Sequence, residues 1–132
     1  MRIIGIDYGE KRVGIASTDE SGEFALPRAV LDNDENLFTD IEDLASVENV
    51  KKIILGESKK LDGQDNLISK DIEKFKIELE NRGFEVIMHP EVFTSLEAER
   101  IQGKGEMLDA SAAAIILKSY IDKEKNDFNR SI

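Results

Sequence analysis

Three short strand-like stretches precede any helical periodicity, and after them helices and strands alternate. That order restricts the chain to few topologies. Arg2 to Asp7 reads as a strand, Tyr8 to Arg12 as a turn and Val13 to Thr18 as a second strand, giving a hairpin with a long loop. Glu23 to Leu31 reads as a third strand, which Pro27 moves towards an edge. Asn36 to Val47 has Leu37, Ile41 and Leu44 at helical spacing. Lys52 to Leu55 is a buried strand ending at Gly56, followed by a loop over Glu57 to Asn66 with the turn pair Asp62-Gly63. Leu67 to Arg82 is the clearest helix, with Ile68, Ile72, Phe75 and Leu79 on one face and Gly83 as its stop. Phe84 to Met88 is a strand that His89-Pro90 ends. Thr94 or Ser95 caps a short helix to about Gln102, and Gly103-Lys104-Gly105 makes a flexible loop. Asp109 to about Lys123 is the last helix, with Ala112, Ile115, Ile116 and Ser119 along one face, and Glu124 to Ile132 is a polar, frayed tail. The expectation is one α/β domain over residues 1–123, a mixed five-stranded sheet with helices on both faces, and a tail over 124–132.

Composition narrows the chemistry. The chain has no cysteine, which excludes disulfides, zinc fingers, iron–sulfur sites and thiol nucleophiles. A single histidine, His89, excludes a multi-histidine metal site, and no Gly-x-Ser-x-Gly elbow supports a serine triad. His89 reads better as structural than as catalytic. The longest apolar run, Ala112 to Leu117, falls far short of the roughly 20 residues that a membrane helix needs. The opening Met1-Arg2-Ile3-Ile4-Gly5 is too short and interrupted for a signal peptide, so a cytoplasmic protein is expected. Any catalysis must therefore run on carboxylates, with or without a metal.

The net charge of −10 argues against nucleic-acid binding, because phosphate contacts dominate such affinity. Its distribution softens the objection. Residues 29–50 hold Asp32, Asp34, Glu35, Asp40, Glu42, Asp43 and Glu48 with no lysine or arginine, and this segment is expected to lie away from any phosphate-binding face.

Four acids stand at the right kind of place for chemistry. Asp7 ends a buried strand, where a carboxylate is costly unless paired, hydrogen-bonded or bound to a cation. Gly9 allows a backbone or a phosphate to come close. An ordinary hairpin, with Asp7 bonding turn amides, would look the same. Asp109 opens the alanine-rich helix, as an N-cap or as a ligand reaching a strand end. Glu57 and Glu91 each follow a strand, where ligands gather in open α/β sheets, although a solvated loop acid fits as well. Two or three such acids from separate segments can hold Mg²⁺ or Mn²⁺, which one cannot. Lys11, Arg12, Lys59, Lys60 and Arg100 lie near these acids in sequence and could steer a phosphate, or be plain surface charges.

Taken together, Gly5-Ile6-Asp7-Tyr8-Gly9-Glu10-Lys11-Arg12-Val13-Gly14-Ile15-Ala16-Ser17-Thr18-Asp19 and Asp109-Ala110-Ser111-Ala112-Ala113-Ala114-Ile115-Ile116-Leu117-Lys118-Ser119-Tyr120-Ile121-Asp122 resemble the opening and closing motifs of the YqgF family of Holliday junction resolvase-like and pre-16S ribosomal RNA nucleases. Asp62-Gly63 and Thr94 to Arg100 also fall at family positions, so the resemblance covers about residues 1–122. It implies a ribonuclease H-like fold, in agreement with the order of elements, and metal-dependent phosphodiester cleavage with Asp7 and Asp109 as catalytic acids. Two departures stand out. After the fourth strand the family usually reads Gly-Leu-Pro where this chain has Gly56-Glu57-Ser58, and after the fifth it reads Asp-Glu-Arg where this chain has Pro90-Glu91-Val92. Position 57 is similar to that of the strand-four glutamate in RuvC-type resolvases.

The expected reaction is hydrolysis of a phosphodiester in a ribosomal RNA precursor or a branched DNA. Asp7 would bridge two Mg²⁺ or Mn²⁺ ions roughly 4 Å apart. Asp109 would hold one ion and Glu57, in preference to Glu91, the other, with Lys11, Arg12 and Lys59 on the phosphates. Such an enzyme would be a monomer for trimming RNA or a homodimer for resolving a junction. Two rivals remain. Actin-like and sugar-kinase ATPases share the Gly-Ile-Asp-x-Gly loop but need a second domain. An inactive nucleic-acid-binding or regulatory module would keep the fold without the chemistry.

Overall fold

The computed structural model describes residues 2–58, 67–91 and 108–131. Strands β1 (Ile4–Tyr8), β2 (Arg12–Thr18) and β3 (Ala25–Asp32) come first, then helix α1 (Leu37–Glu48) and strand β4 (Lys52–Ser58). Helix α2 (Leu67–Asn81), strand β5 (Glu85–Glu91) and helix α3 (Leu108–Ser131) follow. The five strands form one sheet in the order β3-β2-β1-β4-β5. The pairs β1–β2 and β2–β3 are antiparallel, and β1–β4 and β4–β5 are parallel. This is the mixed sheet that the sequence predicts, with β1 at its centre.

Central strands are apolar towards both faces because helices cover both. On one face Ile4, Ile6, Val13, Ile15, Ile53 and Leu55 bury against Leu37 and Ile41 of α1 and against Ile72, Phe75 and Leu79 of α2. On the other, Ala16 and Ile54 pack under Ala113, Ile116, Leu117, Tyr120 and Ile121 of α3. Each fully buried aliphatic side chain contributes about 1.5–3 kcal/mol. No helix among the described residues is long and apolar enough to cross a membrane.

Several boundaries differ from the sequence expectation, each for a local reason. β3 starts at Ala25 rather than Glu23 because Asp19 Oδ1 accepts the backbone N–H groups of Glu23 (3.2 Å) and Phe24 (3.3 Å) and holds them in the turn. Pro27 sits on the edge strand, beside the register shift between Ile15 and Ala16. β4 does not end at Gly56 but runs on to Ser58, which places Glu57 inside the strand. β5 likewise continues through His89 and Pro90 to Glu91. As an edge strand it tolerates a residue with no N–H. α3 does not stop near Lys123 but extends to Ser131, since no glycine or proline interrupts it. α2 ends as expected, with Gly83 at φ +99°. The expected helix from Thr94 or Ser95 and the loop at 103–105 lie outside the described residues.

Candidate active site

The end of β1 is built by alternation. Ile4 and Ile6 point to the α1/α2 face, so Gly5 and Asp7 belong to the row beneath α3. Gly5 shows how close that helix comes. A Cβ there would lie 2.8 Å from Leu117 Cβ and 3.0 Å from the Ala113 carbonyl oxygen. Asp109 lies in the first turn of α3, one turn ahead of Ala113, and Asp7 lies two residues beyond Gly5. Each step spans about 6–7 Å. The backbones of both acids are thus one short step from the same contact. Asp7 pairs with Gly14 of β2 and is half-buried.

Glu57 and Glu91 are placed by register. Ile6 pairs with Leu55, so β4 is the direct neighbour of β1 and carries Glu57 at the same end of the sheet as Asp7. Glu57 pairs with Pro90, and Ser58 with Glu91. β5 is the edge strand, so Glu91 stands two strands from β1, at about 5 Å per strand. Alternation acts the other way. Position 57 belongs to the row of Ile53 and Leu55, whereas position 91 belongs to the row of Ile87 and His89, on the α3 side with Asp7. Proximity favours one glutamate and facing the other.

The turn after Asp7 is tight. A Cβ at Gly9 would come within 2.5 Å of the Arg12 carbonyl oxygen. Asn33, at the end of β3, holds this turn from outside: its Nδ2 donates to the Gly9 carbonyl (2.8 Å) and its N–H to the Lys11 carbonyl (2.9 Å). Lys11 and Arg12 are exposed on it. Sequence reasoning missed Asn33, and a contact spanning 24 residues leaves no local signal. The contact also bears on the expectation for residues 29–50: their first acids, Asp32 and Asp34, flank Asn33 beside the turn that follows Asp7, while Glu48 at the far end of α1 is ion-paired with Arg28 and Arg2. Lys59, Lys60 and Arg100 lie outside the described residues.

His89 agrees with a structural role. Its Nε2 is 2.9 Å from Ser119 Oγ, and its ring meets Tyr120 edge-on at 6.1 Å. Burial pushes its pKa below the ordinary value, and Lys123 adds to the effect. It is thus committed to joining α3 to β5.

The donor set decides which cofactor could fit. Among the described residues no three His, Cys, Asp or Glu side chains cluster, and Asp7 is the one candidate ligand whose side chain is described. The backbone nevertheless gathers acids at one sheet end, and the candidate donors are all carboxylate oxygens. Such a set suits a hard divalent cation rather than zinc or copper.

The comparisons with known proteins bear on the family and the fold. A protein from Sulfurihydrogenibium sp. (strain YO3AOP1), named "Putative pre-16S rRNA nuclease", is 34% identical over 131 residues, covering 92% of this chain and 90% of its own. A protein of the same name from Syntrophus aciditrophicus (strain SB) is 35% identical over 133 residues, with 92% and 89% covered. Among solved structures, the fowlpox virus resolvase in complex with Holliday junction DNA superposes with a TM-score of 0.61 at 19% identity, covering 94% of this chain and 99% of its own. Thermus thermophilus RuvC in complex with a Holliday junction substrate gives 0.60 at 14%, covering 95% and 96%. At those identities the likeness shows the fold, which is ribonuclease H-like. The family described as "RuvX: Holliday junction resolvase", also known as YqgF, matches residues 1–123, and this chain belongs to it.

Proposed function

We propose that this protein hydrolyses nucleic-acid phosphodiester bonds with Mg²⁺ or Mn²⁺ held by Asp7, Asp109 and Glu57. The observation that carries the reading is the close approach of the central strand to α3 at Gly5 and Ala113, two residues before Asp7 and four after Asp109, in a chain of a nuclease family. Bound divalent cations would supply Lewis-acid stabilisation of phosphate charge and activation of water. The chain's own groups do the positioning. Lys11 and Arg12, exposed on the turn after Asp7, attract and orient the phosphate backbone. The tight Gly9 turn, held by Asn33, keeps them there. Glu57 is preferred to Glu91 because its strand adjoins β1.

The names of the relatives point to a ribosomal RNA precursor, and those of the structural neighbours to four-way DNA. The relatives match in sequence over nearly the whole chain, which makes the RNA precursor the first substrate to try. A junction would need two sites and hence a homodimer. No observation favours an inactive binding module. The test is a panel of labelled precursor RNA and four-way DNA incubated with Mn²⁺ or EDTA. Cleavage of at least one substrate in Mn²⁺ and of none in EDTA is expected; cleavage unaffected by EDTA, or none at all, contradicts the reading.

A further inference from the structure

A cavity of about 390 Å³ opens on the α1/α2 side of the same sheet end, and Tyr8, the residue after Asp7, forms part of its wall. Phe38 of α1 and Phe75 of α2 complete an aromatic lining, with ring centroids 4.8 Å apart for Tyr8–Phe75 and 5.4 Å for Phe38–Phe75. The volume lies within the range of small-molecule sites, roughly 300–1,000 Å³. Its rim is polar and uneven. Asp34 accepts the Asn36 N–H (2.9 Å), and Glu78 accepts from Arg82 Nε (3.0 Å), so both are engaged. Asp71 and Lys74, one turn apart on α2, also line the cavity, and neither forms a hydrogen bond or ion pair with another described residue.

From this juxtaposition we infer that the cavity is a subsite for one unpaired base of the substrate, with guanine preferred. This rests on the proposed nuclease reading and deepens it. Three carboxylates against Lys74 and the Arg82 guanidinium that covers the Phe38 ring leave no cationic excess for a phosphate, whereas the half-buried Tyr8 ring offers a flat face to any base. The choice among bases comes from the rim. Guanine places two adjacent N–H donor groups, at N1 and N2, beside the O6 acceptor. Asp71 can take the two donors and Lys74 can donate to O6. Adenine and cytosine reverse part of that pattern, and uracil offers one N–H donor. Asp7 lies in the row beneath α3 while Tyr8 faces the cavity, so a phosphate at Asp7 and a neighbouring base beside Tyr8 would straddle the end of β1.

The test needs neither metal nor cleavage. Labelled protein is titrated, followed by the ring NMR signals of Tyr8, Phe38 and Phe75, with guanosine 5′-monophosphate, inosine 5′-monophosphate and inorganic phosphate. Inosine lacks the N2 amino group. Saturable shifts with the guanosine nucleotide, at least about fivefold weaker binding of the inosine nucleotide and no shifts with phosphate are expected. Asp71→Asn should weaken the guanosine nucleotide by a similar factor and bring the two nucleotides to near-equal affinity. Ring shifts reproduced by phosphate alone, equal affinities for the two nucleotides in the wild type, or no loss in Asp71→Asn would each overturn the subsite. A protein that binds guanosine nucleotide here but cleaves nothing keeps the subsite and loses the nuclease reading. A protein that cleaves without this binding does the reverse.

Discussion

The two faces of the sheet are packed to different ends. Beneath α1 and α2 the contacts are made by large aliphatic and aromatic side chains, among them Ile4, Ile6, Ile53, Leu55, Phe75 and Leu79. Beneath α3 the central strand offers Gly5 and its neighbour Ala16, and the helix answers with Ala110, Ala112 and Ala113. Large residues keep a helix away from the sheet and bury much apolar area, which stabilises the fold. Small residues let the backbones approach, which fixes position more than it adds burial. The candidate acids follow this division: Asp7 and Asp109 both belong to the close-packed side, one step from Gly5 and Ala113.

Substitutions on each face should separate stability from position. The largest loss of stability is expected on the thick face. Ile53→Ala, at a side chain with no exposure, should cost about 2–5 kcal/mol in a denaturant titration. Whatever protein remains folded should cleave at close to the wild-type rate. On the thin face, Gly5→Ala should cost less, about 1–3 kcal/mol, because its methyl group would meet Leu117 and Ala113. Its effect on cleavage should be larger than that of Ile53→Ala. Displacing α3 by about 1 Å moves Asp109 relative to Asp7, and such misplacement can reduce turnover about 100-fold. If Gly5→Ala loses stability yet cleaves normally, close packing of α3 does not set the site.

The smallest effect is a pH dependence on the α3 side. His89 has a pKa below 6.5 in the folded protein, from burial first and Lys123 second. The unfolded chain therefore takes up a proton before the folded one does. Stability should be full above pH 6.5 and decline as pH falls through that value towards the folded pKa. Thermal melts at pH 7.5 and 5.5 should differ more for the wild type than for His89→Gln, which keeps a polar group near Ser119 without titrating. Equal differences would remove His89 from the account.

Much of this division is written in the sequence, because it is local. Alternation in Ile4 to Asp7 and helical spacing through Ile72, Phe75 and Leu79 are read within one element. The run of alanines after Asp109 already announces a helix that packs closely. What escaped depends on neighbours. Pro90 reads as a strand terminator, but β5 is an edge strand and accommodates a residue with no N–H. The polar stretch after Lys123 lacks an apolar stripe, yet nothing in it breaks a helix, so α3 runs on to Ser131. Asn33 and the cavity beside Tyr8 join residues from three or four segments, and no periodicity marks such meetings. Among the candidate acids, sequence identified which stand at strand ends, but the choice between Glu57 and Glu91 depends on strand order and facing together.

The paired substitutions Glu57→Gln and Glu91→Gln sharpen that choice. Loss of both cleavage and Mn²⁺ affinity in Glu57→Gln alone is expected. If Glu91→Gln destroys both and Glu57→Gln spares both, facing has outweighed proximity, and Glu91 is the ligand.

The most direct measurement is on Asp7→Asn, compared with the wild type for Mn²⁺-dependent cleavage and for melting temperature in EDTA. The account predicts that cleavage falls to background while metal-free stability stays level or rises, since the proposed set of carboxylate ligands loses one charge. Retained cleavage, or a clear drop in melting temperature in EDTA, would show that Asp7 serves the hairpin rather than the chemistry.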